Sequence, residues 1–329
     1  MNIIFLVALI ILLLSIIIDF LIGDPSPNTP WTLRYRIHPT VWMGELAYRL
    51  KAILKNPNPK IEKFNGVLLA LTVLVVFTVP TYLLLKAIKE YISFIIYILV
   101  AALILKMTIC IKLETEWAYG VSDAIKSGNL VEARKYAHFS RRDSSSLNGS
   151  QIASSVIESM AENLVDFRLS PVFYYGIFGV AGAVAYRAIN TLDGVVGFKD
   201  PEHINIGWFS ANLDTIANYI PTRIAAFLIV LVSTILGLGQ GFKKAWKVVM
   251  RDRLKVPSRN HGWTMSAMAG ALNLRLEKPG YYVINNEGAM PSHMDIINAL
   301  KVRNMVMILF TLLVVVPLLY LSTALGFWL

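Results

Sequence analysis

Long apolar runs alternate with polar stretches along the chain, and the runs have the length of membrane spans. A helix that crosses a bilayer needs about 20 mainly apolar residues. Five runs reach or approach this length: residues 2–22, 66–85, 91–111, 224–241 and 305–329. The first run lacks a basic leading segment and a small-residue cleavage site, so it reads as an anchor rather than a signal peptide. The pattern therefore predicts about five transmembrane helices.

A sixth run, residues 171–186, is shorter and rich in glycine and aromatic residues. It reads as a broken span, a re-entrant segment or a buried helix. Basic residues favour cytoplasmic loops. The stretches 24–65 and 112–170 hold seven Lys and Arg each, and 242–304 holds eleven, which places all three inside. Because residues 112–170 and 242–304 are then on the same side, the segments 171–186 and 224–241 either both cross the membrane or both turn back within it.

Composition agrees with a membrane protein. Apolar and aromatic residues make up 56% of the 329 residues, and charged residues 16%, against about a quarter in ordinary soluble domains. This excludes a disordered chain and an ordinary cytosolic enzyme. The single cysteine, Cys110, excludes an intrachain disulfide. We expect an all-α polytopic integral membrane protein of the cell membrane. About five transmembrane helices, plus re-entrant or interfacial helices around a polar cavity, would form one domain over residues 1–329.

One acidic stretch stands out between apolar residues, with Glu158, Glu162, Asn163 and Asp166. On a helix, Glu158 and Glu162 share one face, and Asp166 lies close to it. Like charges four residues apart destabilise an isolated helix, and a divalent cation or a cationic partner would remove that penalty. Carboxylate oxygens suit Mg²⁺ held jointly with substrate phosphates. A solvated acidic face is the alternative.

Further stretches place arginines beside Asn, Asp or hydroxyl side chains. Guanidinium groups bind phosphate oxygens bidentately, so these stretches are candidates for holding phosphates. The alternatives are a basic juxtamembrane loop for the first stretch, and helix caps or turns for the others. The stretches carry Arg141 and Arg142; Arg187, Asn190, Asp193 and Lys199; Asp214 and Arg223; and Asn260 with His261. A lone histidine such as His261 is more often structural than catalytic.

Asp19 lies inside the first apolar run, shortly before Gly23-Asp24-Pro25. A carboxylate within a span is costly and is therefore a functional candidate, with an interfacial carboxylate as the alternative. The chain has no P-loop, no dinucleotide-binding glycine motif and no H-E-x-x-H zinc motif. Nucleic-acid modules are also absent, so no nucleic-acid partner is expected.

Seven motifs follow one another over nearly the whole chain, and together they are far more specific than any one alone. They are Asp19 with Gly23-Asp24-Pro25; His38-Pro39 with Trp42-Met43-Gly44; SRRDSSSL (140–147); ESMAENLVDFRLSPVFYY (158–175); YRAINTLDGVVGFKD (186–200); GWFSANLDTIANYIPTR (207–223); and SRNHGWTMSAMAGALNLRLEKPGYY (258–282). In this order they resemble the CobD/CbiB family of integral membrane adenosylcobinamide-phosphate synthases of cobalamin biosynthesis.

The resemblance implies that a propionate carboxylate of adenosylcobyric acid is joined to aminopropanol phosphate, or a similar amino-alcohol phosphate. ATP would drive this amide formation through an acyl phosphate, with Mg²⁺ as the metal cofactor. The implied catalytic residues are Glu158, Glu162, Asp166 and Asp193. The implied metal ligands are Glu162, Asp166, Asp193 and Asp214. The implied substrate and phosphate ligands are Arg141, Arg142, Asn163, Arg187, Asn190, Lys199, Arg223 and Asn260. One carboxylate or His261 would take the proton of the attacking amine.

The resemblance also implies partners and a location. ATP and the corrinoid are cytoplasmic, so the motifs between residues 140 and 282 are expected to face the cytoplasm, which favours re-entrant segments at 171–186 and 224–241. Non-helical backbone is tolerated at membrane depth where it lines a polar cavity. The expected partners are the corrinoid, the amino-alcohol phosphate and membrane lipids. A homo-oligomer is left open.

The chain departs from the usual family pattern in three motifs. The family usually has Gly-Arg-Asp-Thr at 141–144, a second aspartate where this chain has Thr215, and Ser-Pro-Asn-Ala-Gly at 258–262. The missing carboxylate at Thr215 weakens that motif as a metal site by itself. Two other functions stay open: a membrane transferase that uses Mg²⁺ and a diphosphate substrate, and a non-catalytic corrinoid transporter or membrane sensor.

Overall fold

The structure, a computed structural model, describes residues 3–137 and 143–328. Within these ranges the chain forms fifteen α-helices, two π-helical turns and one antiparallel hairpin. The helices are α1 (Ile3–Ile22), α2 (Leu33–Arg36), α3 (Pro39–Leu54), α4 (Pro59–Tyr91), α5 (Phe94–Lys106), α6 (Lys112–Lys126), α7 (Leu130–Tyr136), α8 (Gly149–Leu164), α9 (Ser170–Val196), α10 (Trp208–Ala217), α11 (Tyr219–Ile235), α12 (Phe242–Asp252), α13 (His261–Leu272), α14 (His293–Phe310) and α15 (Val316–Ala324). The π-helical turns are Val165–Leu169 and Thr311–Val315, and the strands are β1 (Leu276–Lys278) and β2 (Tyr282–Ile284).

Several helical stretches are long and apolar enough to cross a bilayer. Among the described residues there are four: Ile3–Ile22, Pro59–Tyr91, Gly149–Val196 and His293–Ala324. A fifth is added if the broken pair of α10 and α11 is one span. The predicted all-α polytopic membrane fold is therefore confirmed. The predicted run 66–85 lies within the second of these stretches, and the runs 2–22 and 305–329 overlap the first and the fourth.

The predicted span 91–111 is shorter in the structure. Its helix, α5, has 13 residues, which is about 20 Å at the usual rise, against a hydrocarbon core of about 30 Å. Ser93 caps the start of the helix by accepting a hydrogen bond from the backbone N–H of Ile96. The helix ends at Lys106, whose ammonium binds Asp24. A count of apolar residues detects neither the cap at Ser93 nor the helix end at Lys106.

The run 171–186 lies in α9 and contains a break. Gly179 has φ 67° and ψ −160°, a conformation that is open to glycine but strained for other residues. A break leaves carbonyl groups of the preceding turn short of donors. The Ser322 hydroxyl donates to one of them, the Gly176 carbonyl, at 2.8 Å. Whether this segment or 224–241 crosses the membrane stays a prediction.

The described chain divides into two compact units. The first contains residues 1–111, 170–217 and 314–329, and the second contains residues 112–169 and 218–313. Helices α1–α5, α9, α10 and α15 therefore belong to the first unit. Helices α6–α8, α11–α14 and the hairpin belong to the second. The expectation of one domain over residues 1–329 stays a prediction.

A buried ion cluster ties α1 to α5 in the first unit. Asp19 is fully buried; its Oδ2 accepts from the backbone N–H of Ile111 at 3.1 Å, and its Oδ1 lies 3.4 Å from the Lys106 Nζ. The same ammonium binds Asp24, whose carboxylate lies 3.6 Å from the His38 Nε2. Charges removed from water need partners. The intramembrane aspartate that the sequence singled out is thus paired within the protein.

Helix α13 lies at the centre of the second unit. Ten of its 12 residues are buried, and it packs against α8, α11 and α12. A Cβ on Gly262 would lie 2.0 Å from the Arg253 carbonyl oxygen, and one on Gly270 would lie 2.6 Å from that of Ala245. Only glycine permits these approaches. The close packing places His261, the first residue of α13, in the same unit as the acidic stretch of α8.

Asp24→Asn is expected to destabilise the protein by about 2 kcal/mol at neutral pH, because the Lys106 ammonium loses its nearest counter-charge. Burial alone would raise the pKa of Asp24, but His38 and Lys106 lower it from 3.8 to about 2. A carboxylate with a lowered folded-state pKa stabilises above its unfolded pKa. The difference from wild type should therefore shrink as pH falls from about 4 to 2.

Thermal unfolding in detergent, followed by tryptophan fluorescence, measures this difference. The matched control is Glu45→Gln, which breaks the exposed ion pair with Arg49 and should cost less than about 1 kcal/mol. Equal melting of Asp24→Asn and wild type at pH 7 would contradict the role of the buried cluster.

Candidate functional site

Helix α8 carries the acidic face that the sequence predicts. A capping box closes its N-terminus: Asn148 Oδ1 accepts from the Gln151 N–H at 2.9 Å, and Gln151 Oε1 accepts from the Asn148 N–H at 3.2 Å. Glu158 and Glu162 follow four residues apart. The helix then widens into the π-helical turn at 165–169, which contains Asp166. Such turns are frequent at functional sites.

Two carboxylates of this segment flank the imidazole of His261. Glu162 Oε1 lies 3.9 Å from the His261 Nδ1, and Asp166 Oδ2 lies 3.2 Å from its Nε2. Asp166 Oδ1 accepts a hydrogen bond from the Asn218 amide at 3.2 Å. The side chains of His261, Glu162 and Asp166 are 21%, 34% and 13% exposed. The cluster can therefore hold and pass a proton at a place that solvent reaches.

Glu158 is engaged in a different way. It is fully buried, and its two oxygens accept from the Ser154 hydroxyl at 2.9 Å and the Tyr282 hydroxyl at 2.7 Å. Tyr282 begins strand β2, so this carboxylate fastens the hairpin to α8. The catalytic role that the resemblance implies for Glu158 stays a prediction, and the observed contacts are structural.

The hairpin has further contacts with α8. The Glu277 N–H donates to the Ser154 hydroxyl at 2.8 Å, and the Gln151 amide donates to Glu277 Oε1 at 3.2 Å. Burial alone would raise the pKa of Glu277, but hydrogen bonds from Gln151 and Arg275 hold it below its usual 4.5. An open cavity of about 440 Å³ lies at the hairpin, lined by Arg275 and residues 277–283.

Asn163 points into a buried ion cluster. Its amide donates to Glu114 Oε1 at 2.8 Å. The other oxygen of Glu114 lies 2.5 Å from the Arg168 Nη2 and 3.0 Å from the Arg303 Nη1. All three charged side chains are buried. Sequence reasoning missed this cluster, although Arg168 lies inside the acidic motif. Its partners Glu114 and Arg303 gave no signal, because they are distant in sequence.

Arg223 and Asn260 lie together, as candidates for one site should. The Arg223 Nη1 donates to Asn260 Oδ1 at 2.5 Å and to the Tyr219 carbonyl at 2.9 Å. The guanidinium lies 3.6 Å from the centroid of the Tyr219 ring and 5.3 Å from that of Trp263. This arginine is therefore already stacked and hydrogen-bonded within the second unit.

The remaining described candidates belong to the first unit. On α9, Arg187 Nη1 donates to Asn190 Oδ1 at 3.2 Å, and Asp193 follows three residues later. Lys199 is exposed in the segment after α9, and Asp214 is buried on α10. Arg187, Asn190 and Asp193 are thus brought to one side of a helix. Arg141 and Arg142 lie outside the described residues, so their predicted roles stay predictions.

Two of the predicted metal ligands, Glu162 and Asp166, offer carboxylate oxygens to a cation. In the part of the chain that the structure describes, no group of three or more His, Cys, Asp or Glu side chains is placed to hold a metal. Mg²⁺ usually takes one or two carboxylates and completes its shell with phosphates and water. Glu162 fits this role. Asp166 fits it less well, because both its oxygens already accept hydrogen bonds.

Comparison with known proteins decides the family. The family model described as "CobD/Cbib protein" matches residues 12–319. The chain is 35% identical over 302 residues to the probable cobalamin biosynthesis protein CobD of Methanothermobacter thermautotrophicus, covering 92% of this chain and 95% of that protein. It is 37% identical over 265 residues to the cobalamin biosynthesis protein CobD of Leptospira interrogans, covering 80% of each. The chain belongs to the CobD/CbiB family.

No solved structure matches the chain. The family match confirms the resemblance that the ordered motifs carry. His261, Glu162 and Asp166 all lie within the ordered motifs that carry the resemblance.

Tyr282→Phe is expected to loosen the hairpin, because Glu158 loses a hydrogen bond to a buried charged group, worth about 1–3 kcal/mol. Amide hydrogen exchange in residues 276–284 should become faster in the full-length protein in detergent. The matched control is Tyr281→Phe, since Tyr281 is 78% exposed and should leave exchange unchanged. Unchanged protection of the hairpin in Tyr282→Phe would show that Glu158 does not hold it.

Proposed function

We propose that this CobD/CbiB protein is an adenosylcobinamide-phosphate synthase. It joins a propionate carboxylate of adenosylcobyric acid to the amine of aminopropanol phosphate or a similar amino-alcohol phosphate, and ATP drives the reaction. The family match over residues 12–319 supports a role in cobalamin biosynthesis and hence a corrinoid substrate. The observation that carries the chemistry is the pair of Glu162 and Asp166, held on either side of one imidazole where solvent reaches them.

The reaction needs two steps, because a carboxylate is a poor electrophile. A carboxylate oxygen first attacks the terminal phosphorus of ATP; an O–P bond forms and ADP leaves, which gives an acyl phosphate. The amine nitrogen then attacks the acyl carbon; the C–N bond forms, the C–O bond breaks and phosphate leaves. The ammonium of the amino alcohol loses two protons overall. One goes to a base of the protein and one goes to the departing phosphate.

We assign Glu162 as the base. A general base must reach the proton that it removes, and Glu162 is the most exposed of the three groups at 34%. Asp166 is less available, since His261 and Asn218 occupy both its oxygens. His261 is not required as the base, because the family usually has alanine there. It bridges the carboxylates and stabilises their negative charge when it is protonated.

Glu162 and Asp166 would hold the Mg²⁺ that accompanies ATP, together with phosphate oxygens, during the first step. Glu162 would act as the base in the second step, once ADP and its metal have left. When bound, the metal neutralises charge on the phosphoryl group in transfer. Asp193 and Asp214 stay proposed ligands. Glu158 stays a proposed catalytic residue, although its contacts fasten the hairpin.

The phosphates of ATP and of the amino-alcohol phosphate require cationic partners. The proposed ligands are Arg141, Arg142, Asn163, Arg187, Asn190, Lys199, Arg223 and Asn260. Arg223 would bind an oxygen only by exchanging its contact with Asn260. Both nucleotide and corrinoid are cytoplasmic, so the site is proposed to face the cytoplasm.

Purified protein in nanodiscs, supplied with adenosylcobyric acid, ATP, Mg²⁺ and aminopropanol phosphate, is expected to form adenosylcobinamide phosphate and ADP, identified by mass spectrometry. Omission of ATP should abolish the product. Corrinoid binding without amide formation would instead indicate a transporter or sensor. Turnover of an isoprenoid diphosphate without ATP would indicate a transferase.

Glu162→Gln is expected to lower amide formation by about 100-fold or more, the usual contribution of a general base. The matched comparison is His261→Ala, which introduces the usual family residue and should keep most activity, because His261 is not the assigned base. A melting curve for each variant separates loss of fold from loss of chemistry. Full activity of Glu162→Gln would overturn the assignment of the base.

A further inference from the structure

Three lysines on α12 carry charge that the protein itself does not neutralise. Lys243, Lys244 and Lys247 are exposed and make no ion pair with any residue that the structure describes. We call them the lysine stripe. Lys243 and Lys247 are four residues apart, a spacing at which like charges repel. The positive end of the helix dipole adds to this cost for Lys243 and Lys244. An anionic partner would remove it.

Helix α12 carries one carboxylate, that of Asp252, and its charge is already neutralised by other groups. Asp252, fully buried at the end of α12, accepts from the Arg251 guanidinium at 2.9 and 3.1 Å. It lies 2.8 Å from the Lys255 Nζ and accepts from the Asn285 N–H at 2.7 Å. Its charge is therefore used at the C-terminal end of the helix, away from the lysine stripe.

Aromatic rings lie beside the stripe. Phe242 and Trp246 stack with centroids 6.0 Å apart, and Trp246 lies 6.4 Å from Trp263. Phe227 of α11 lies 5.7 Å from Phe242. Tryptophan and other aromatic side chains concentrate where membrane meets water. The lysine stripe and these rings thus place ammonium groups next to apolar aromatic side chains.

The chain path also places α12 next to the end of an apolar helix. Helix α11 ends at Ile235, and α12 begins at Phe242. The connection contains Gly237, Gly239 and Gly241, all with positive φ, which lets the chain turn sharply. A basic, aromatic-flanked helix that follows an apolar helix through such a turn has the character of an interfacial helix.

We propose that α12 is an interfacial helix whose lysine stripe binds the phosphate-bearing headgroups of anionic phospholipids. Ammonium groups donate to the phosphodiester oxygens, and Phe242 and Trp246 contact the glycerol and upper acyl region. Inorganic phosphate could make only the contacts with the ammonium groups and not those with the aromatic rings. We therefore propose a phospholipid as the ligand. This surface is independent of the proposed synthase activity.

The test compares the full-length protein with Lys243→Gln/Lys244→Gln/Lys247→Gln. The matched control, Lys60→Gln/Lys126→Gln/Lys301→Gln, removes the same charge from exposed lysines elsewhere. Each protein is reconstituted in nanodiscs that contain phosphatidylcholine and phosphatidylglycerol. The bound lipids that remain on release into detergent are then counted by native mass spectrometry. Melting curves check that all three proteins are folded.

Wild type and control are expected to retain phosphatidylglycerol in preference to phosphatidylcholine. The stripe variant should lose about fivefold of that preference for each lysine removed. Added salt should weaken the preference, and inorganic phosphate at matched ionic strength should weaken it no further. An equal preference in the stripe variant and the control, or none in wild type, would overturn the proposal. Competition by inorganic phosphate beyond the salt effect would show a free-anion site and would also overturn it.

Discussion

A charge taken into the apolar interior must be paired where it lies, and this constraint organises each unit of the molecule. Removing an unpaired ion from water costs on the order of several kcal/mol. In the first unit, Lys106 is held by Asp19 and Asp24. In the second unit, Glu114 is held by Arg168 and Arg303. Only 16% of the residues are charged. Such pairs therefore fix which helices meet, and they engage many of the side chains that could otherwise carry chemistry.

The same constraint separates structural from reactive members of one motif. Glu158 and Asn163 lie on α8 beside Glu162, yet both are bound to partners in the protein interior. Glu162 and Asp166 instead border an imidazole that solvent reaches. A carboxylate with both oxygens engaged in the interior, as in Glu158, is a poor site for a ligand, whereas the half-buried Glu162 can bind metal or take a proton. Asp166 lies between these two cases, because it borders the imidazole but is mostly buried and both its oxygens accept hydrogen bonds. Contacts within the protein therefore separate Glu162 from its neighbours in the motif.

Prediction from the sequence succeeded where the signal is local. The apolar runs at 2–22 and 305–329 and the acidic face of α8 each depend on residues close together in the chain. It failed where the deciding contact is distant. The run 91–111 has enough apolar residues for a span, but α5 stops at Lys106, whose ammonium binds Asp24, 82 positions away. The bridging position of His261 likewise depends on the close packing of α13 that Gly262 and Gly270 allow.

By itself the sequence determined the membrane class, the helical architecture and the CobD/CbiB family, because apolar length, charge scarcity and motif order are properties of the linear chain. Only the tertiary structure decided which motif residues are bound within the protein and which stay partly exposed. Glu158 and Tyr282 are 124 positions apart, and Glu114 and Arg303 are 189 apart. No local pattern encodes such pairs, since they arise only when packed helices bring opposite charges and hydrogen-bonding groups out of water together.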